Sequence, residues 1–186
     1  MDDVFLPPDS QRRLLSLSRR TLSDFVRGVE RRAEAISDPN LQPRDYGAFV
    51  SLHKKQELRG CIGNCVPKEP LYQTVIEMTR AAASRDCRMA PVSEDELDDI
   101  RIDITVLSPL VRAHDPLSLQ VGKHGLYIAL GGKRGVLLPQ VATQYRWDMK
   151  TFLEQTCVKA GLGKNAWRGL DIEVSTFTAL IMEEQP

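Results

Sequence analysis

No stretch of the chain approaches eighteen consecutive apolar residues, so no segment reads as a membrane-spanning helix. The amino-terminal Met-Asp-Asp-Val-Phe-Leu-Pro-Pro is acidic and lacks the apolar core of a signal peptide, and the expected setting is cytoplasmic. Net charge is absent as well: 25 Lys and Arg balance 25 Asp and Glu. No global field draws the chain onto nucleic acid or anionic lipid, and any such binding has to come from a local patch. Cysteine is scarce, with 4 in 186 residues, and without a secretory signal these thiols are expected reduced rather than bridged. Internal repeats, low-complexity tracts and long linkers are also missing. What remains, 42% hydrophobic and 27% charged, is the composition of an ordinary globular chain and excludes disorder, coiled coil and collagen-like structure. A chain of this length buries roughly 70% of its surface on folding, enough for a real core.

Hydrophobic spacing supplies the elements. Leu14, Leu22, Phe25, Val29 and Ile36 fall in one stripe at 100° per residue and predict an amphipathic helix from Ser10 to about Ser37. Arg13, Arg20, Arg27 and Arg31 line its other side, as a solvated face or a surface for an acidic partner. Tyr46 to His53 and Glu57 to Gly63 read as a β-hairpin around Lys54-Lys55-Gln56. Pro70 stands at a first helical position, and Leu71, Val75, Met78 and Ala82 carry helical spacing to about Asp86; the run Ala81-Ala82-Ala83-Ser84 would let this helix approach a sheet closely. Ser93 to Asp99 is a short capped turn, after which Ile100, Ile102, Ile104 and Val106 alternate with polar residues as a strand. Leu126 to Leu130 and Val136 to Leu138 form a second hairpin around Gly131 to Gly135, Asp148 caps a helix from Met149 to Ala160, and Asp171 to Met182 reads as one long strand. Strands and helices joined mainly by hairpins point to an α+β fold, with packed helices on a mostly antiparallel sheet, in two lobes of a single domain spanning 1–186.

Glu57-Leu58-Arg59-Gly60-Cys61-Ile62-Gly63 is the segment richest in chemistry. A strict period of two puts Leu58 and Ile62 on one face and Glu57, Arg59 and Cys61 on the other, two residues between a guanidinium and a thiol. Positive charge at that spacing favours the reactive thiolate, and Gly60 and Gly63 would let a substrate approach the backbone. The competing reading is a small buried cysteine beside a glycine bulge. Cys61 and Cys65 form C-x₃-C, but Lys68 stands where a radical-SAM cluster motif needs its third cysteine, and a zinc site lacks two more ligands at suitable spacing; neither a metal nor another cofactor is expected. His124, in a glycine-flanked turn, is either a general base for Cys61 or a histidine bonded to its own turn. Asp86 and Arg88 form an oppositely charged pair just past the second helix, whose ordinary role is helix termination and a surface ion pair.

Taken in order, Leu58-Arg-Gly-Cys-Ile-Gly63, Asp86-x-Arg88-x-x-Pro91-Val92, Gly122-Lys-His-Gly-Leu126, Arg134-Gly-Val-Leu-Leu-Pro-Gln-Val141, Trp147-Asp148 and Lys159-Ala-Gly-Leu162 resemble the AMMECR1 family over almost the full chain. The resemblance implies a two-lobed α+β domain centred on the cysteine block, with Arg59, Gly60, Cys61 and Gly63 carried over and Asp86, Arg88, His124 and Gln140 as further motif positions. It implies a Memo-like protein and a radical-SAM protein as partners and RNA, or a nucleotide-like or other biomolecule, as the target of modification. Met89, Cys87 and Tyr145-Arg146 depart from the residues common in that family. The combined expectation is a cytoplasmic enzyme or enzyme subunit acting on an anionic substrate. Cys61, His124 and Asp86 would be catalytic, with Arg59, Gly60, Gly63, Arg88 and Gln140 binding substrate, and Arg59, Cys61, Asp86 and His124 would line one cleft between the lobes. The alternative is a non-catalytic module presenting the same face to a protein or nucleic acid.

Overall fold

The structure, a computed structural model, describes residues 3–30 and 36–185. The chain builds α1 (Pro8–Val26), β1 (Gly47–Lys54), β2 (Glu57–Asn64), α2 (Leu71–Ser84), β3 (Ile100–Leu107), β4 (Val111–Arg112), β5 (Gly125–Leu130), β6 (Lys133–Leu137), α3 (Pro139–Gln144), α4 (Met149–Lys159), β7 (Glu173–Phe177) and β8 (Ala179–Glu183). These make an α+β fold with two four-stranded sheets, ordered β2-β1-β3-β8 and β4-β7-β5-β6. The chain divides into two compact units, Phe5–Leu107 with Leu180–Pro186, and Ser108–Ala179 with Met1–Val4.

In the unit containing Cys61, α2 packs on β1 and β2, and α1 packs on α2 and β3. Ala48, Val50 and Leu52 of β1 oppose Val106, Ile104 and Ile102 of β3, all fully buried, and alternation sends the residues between them to the other face. The alanine run of α2 does lie close to the sheet: a Cβ added at Gly60 would stand 2.2 Å from the Ala82 carbonyl oxygen. In the other unit, Leu126, Ile128, Leu137, Phe152, Leu153 and Val174 form the core, with α4 laid against β5 and β6.

Two expectations are corrected and one unassigned helix is added. The first helix stops at Val26, because Gly28 takes φ +67°, its N–H donates to the Phe25 carbonyl, and the Val29 N–H donates to the Asp24 carbonyl. This glycine cap satisfies carbonyls that the helix leaves open, and it overrides the apolar stripe that continues beyond it. Arg31 lies outside the described residues, while Arg13 and Arg27 of the basic stripe are paired with Asp38 and Glu94. The long carboxy-terminal strand is two strands in different sheets, broken at Thr178, whose N–H donates to Ser108 Oγ while its carbonyl accepts from the Ser108 N–H. Residues Pro139–Gln144, not expected to be helical, form α3 with its proline in the first turn. Gly28→Ala is expected to cost about 1 kcal/mol in urea denaturation, since the new Cβ meets no atom within 4 Å and the penalty comes from the left-handed backbone.

Candidate functional site

β2 is an edge strand, so the backbone groups it does not spend on β1 need other partners. At Cys61 that partner is Asp86, whose Oδ2 accepts the Cys61 N–H at 2.9 Å. Asp86 follows α2 in a tight turn, with the Met89 N–H donating to its carbonyl. Its buried carboxylate also accepts from the Arg88 N–H at 3.2 Å, from Arg88 Nε at 2.8 Å and from Arg88 Nη2 at 2.6 Å. One carboxylate thus joins the cysteine backbone to a guanidinium whose side chain is 57% exposed. Arg88 holds the Asp86 carboxyl well below the usual carboxylate range against the opposing effect of burial. Asp86 in turn holds Arg88 protonated, with smaller contributions from Cys61 and Cys87. Cys61 Sγ accepts from Ser51 Oγ at 3.2 Å across the strand pair.

Arg59 is placed otherwise than a strict period of two predicts. Leu52 pairs with Gly60 but His53 pairs with Leu58, so Arg59 is the extra residue of a β-bulge. Its Nε and Nη2 donate to the Glu96 carboxylate at 3.0 and 2.8 Å, Nη1 to the Ala90 carbonyl and Nη2 also to the Pro91 carbonyl. The Glu96 carboxyl is held well below its ordinary range chiefly by Arg59, and Glu96 closes a capping box with Ser93. Arg59 therefore clamps the α2–β3 connection to the hairpin, and Arg88 is the cation beside Cys61. The same bulge moves Leu58 to the face that carries Cys61, opposite His53, where it is 37% exposed.

The glycines have packing reasons. Gly60 faces α2, and Gly63 lies beneath its cross-strand neighbour Phe49, whose ring stands 2.1 Å from where a Cβ would be. The space Gly63 leaves on the Cys61 face is filled by an aromatic ring rather than open to a ligand.

His124 and Gln140 belong to the other unit. The His124 Nδ1 accepts the Gln120 N–H at 2.9 Å and the main-chain N–H of His124 donates to the Gln120 carbonyl at 3.0 Å, the turn-bonded arrangement. Burial and Lys123 push its imidazole down. Gln140 is exposed in the first turn of α3. Cys61, Cys65, Cys87 and Cys157 form no disulfide, and β2 ends before Cys65. Burial pushes the Cys157 thiol up. Among the described residues, no three His, Cys, Asp or Glu side chains converge to hold a metal ion. No described helix is long and apolar enough to cross a membrane.

Three polar residues of this face escaped the spacing argument: Ser51, His53 and Asp103. Ser51 stands directly between Cys61 on β2 and Asp103 on β3, and His53 Nε2 lies 3.0 Å from Asp103 Oδ2. Alternation in the two strands held the signal, since Asp103 falls between Ile102 and Ile104 and Ser51 and His53 flank Leu52.

The two four-stranded sheets and their packed helices define an α+β protein. The AMMECR1 family model matches residues 15–182, and the chain belongs to that family. A protein of Methanothermobacter thermautotrophicus is 38% identical over 185 residues, covering 96% of each chain. A protein of Aquifex aeolicus is 34% identical over 182 residues, covering 94% of this chain and 92% of its own. The crystal structure of an uncharacterised protein from Pyrococcus horikoshii superposes with a TM-score of 0.87 at 32% identity, covering 97% of this chain and 94% of that one.

Proposed function

We propose that this protein is an enzyme or enzyme subunit acting on an anionic substrate, RNA or a nucleotide-like molecule among them, with Cys61 as nucleophile and Arg88 as the cation that holds the substrate's negative group beside the sulfur. The observation that carries this reading is the Asp86 carboxylate, which fixes the Cys61 backbone and the Arg88 guanidinium to one point. A buried acid committed to an exposed arginine is more than an edge-strand amide requires. It spends the Nε and Nη2 edge of Arg88 on Asp86 and leaves the Nη1 donors without a bond to Asp86, able to donate to a carboxylate or phosphate. In the reacting step the Sγ lone pair bonds to an electrophilic atom of the substrate, while that atom's bond to its leaving group breaks and the leaving group takes the electron pair.

Alkylation by iodoacetamide near neutral pH, with sites assigned by tandem mass spectrometry, tests the nucleophile. Cys61 is expected to react faster than Cys65, exposed Cys87 and buried Cys157, with Cys157 the slowest. Labelling of Cys61 at or below the rate of Cys87 would remove the nucleophile and favour a non-catalytic module that binds its partner through the same face.

A further inference from the structure

We infer that Tyr145 and Arg146 form a binding site for single-stranded nucleic acid, in which an unpaired base stacks on the Tyr145 ring and a neighbouring phosphate pairs with the Arg146 guanidinium. The site lies within the unit that contains Ser108–Ala179, and it stands whether or not Cys61 is a nucleophile.

Its geometry begins where α3 ends. The Arg146 N–H donates to the Thr143 carbonyl at 3.1 Å and the Trp147 N–H to the Ala142 carbonyl at 2.8 Å, the paired bonds of a Schellman turn with Arg146 at its left-handed position, φ +54°. Glycine ordinarily fills that position, because a Cβ there crowds the backbone. The same turn follows α1 and α4, with Gly28 and Gly161 in the left-handed place. After α3 the chain sets an arginine there instead. Arg146 is exposed, and among the described residues its guanidinium has no hydrogen-bond or carboxylate partner. Nothing within the chain offsets the strained backbone, which is the pattern of a site built for a ligand.

The ring beside it is equally unspent. Trp147 packs against the core of this unit, and the Tyr145 ring lies on it with centroids 4.9 Å apart and planes 16° from parallel. One face of the Tyr145 ring is therefore covered, yet the residue is 62% exposed, which leaves the other face open to solvent. Trp167 is arranged differently: Arg168 sits over its ring at 4.8 Å, so that cation and that ring satisfy each other.

An open ring face next to a free cation matches a ligand that alternates flat aromatic groups with negative ones, as a nucleic-acid strand does. In a duplex the bases cover one another's faces, so the strand is single. A free nucleotide fits poorly, since small-ligand sites enclose most of their ligand and this platform is open. Lys150, in the first turn of α4 and loosely paired with Glu154 at 3.9 Å, is a further exposed cation for the strand, while the nearby Asp148 carboxylate is committed to the Thr151 N–H as the helix cap. In a chain with no net charge, the attraction has to come from a local patch of this kind.

The test is fluorescence anisotropy of a labelled single-stranded RNA of mixed sequence, about 12 nucleotides long, titrated with the full chain at low salt. The wild-type protein is expected to bind it, with an affinity that falls as salt rises. Tyr145→Ala should weaken binding about tenfold and Tyr145→Phe less than about twofold, because stacking needs the ring and not the hydroxyl. Arg146→Gly should weaken binding several-fold and flatten the salt dependence, while its urea midpoint rises because glycine suits the left-handed backbone. A variant that is more stable and binds less does not owe its loss to misfolding. Wild-type protein that leaves the RNA free at about 100 μM would overturn the proposal. So would Tyr145→Ala or Arg146→Gly binding as wild type does, or equal affinity for the same RNA annealed into a duplex. Displacement of the RNA by micromolar adenosine monophosphate would make the occupant a free nucleotide and overturn the strand. The alkylation rates at Cys61 decide the nucleophile separately, so either reading can fail alone.

Discussion

Asp86→Ala is expected to lower stability by about 2–3 kcal/mol at neutral pH, the cost of leaving a buried donor unpaired with the loss of bonds to a charged group added. The substitution strands the Cys61 N–H on an edge strand and removes the acceptor of three Arg88 bonds. Arg88 can turn its charge to water, so the penalty stays below that of breaking a fully buried pair. The pH dependence has a definite sign. The folded Asp86 carboxyl is depressed, chiefly by Arg88, so its contribution is present above the ordinary carboxylate range near about 4 and is lost as pH falls through the folded value. Urea denaturation at pH 7 and near pH 3 checks this: the gap between wild type and variant should narrow in acid. A gap that is the same at both pH values would show that the carboxylate charge is not its source.

Gly60→Val is expected to be the most damaging single substitution in the hairpin, costing roughly 3 kcal/mol or more by overpacking. The obstacle at 2.2 Å is the main-chain oxygen of Ala82, which cannot rotate away, so either β2 or α2 must shift. Gly63→Ala also meets an atom too closely, but that atom belongs to the Phe49 side chain, and a smaller loss is expected. For a chain of this length the valine variant should melt lower by roughly 10 °C. A melting temperature within a degree or two of wild type would contradict the close packing of α2 on this strand.

Periodicity in the sequence carried most of the elements and failed where a single local or tertiary contact decides. The stripe of Leu14, Leu22, Phe25 and Val29 is real to Phe25, and one left-handed glycine ends the helix before Ile36 can extend it. From Asp171 to Met182 the apolar pattern is continuous, yet the hydrogen bonds between Ser108 and Thr178 divide it between sheets, a pairing no local pattern displays. Cys61 as the centre of the candidate site was legible from its motif. Its cation was not, because the bulge at Arg59 inverts the parity on which that assignment depended, and the bond from Asp86 spans 25 residues. The faces of β1 and β3 could each be read from alternation alone, but only the pairing register brings Ser51, His53 and Asp103 alongside Cys61.

The central claim, that Arg88 serves Cys61 as an anion-binding cation, is tested most directly by comparing iodoacetate with iodoacetamide at that thiol. The two reagents form the same Sγ–carbon bond and release the same iodide, and they differ in a carboxylate. With Arg88 in place, the ratio of anionic to neutral labelling at Cys61 should exceed that at Cys87, and Arg88→Gln should lower it several-fold at Cys61, on the order expected for one solvent-exposed ion pair. An unchanged ratio in a folded Arg88→Gln protein would contradict the account.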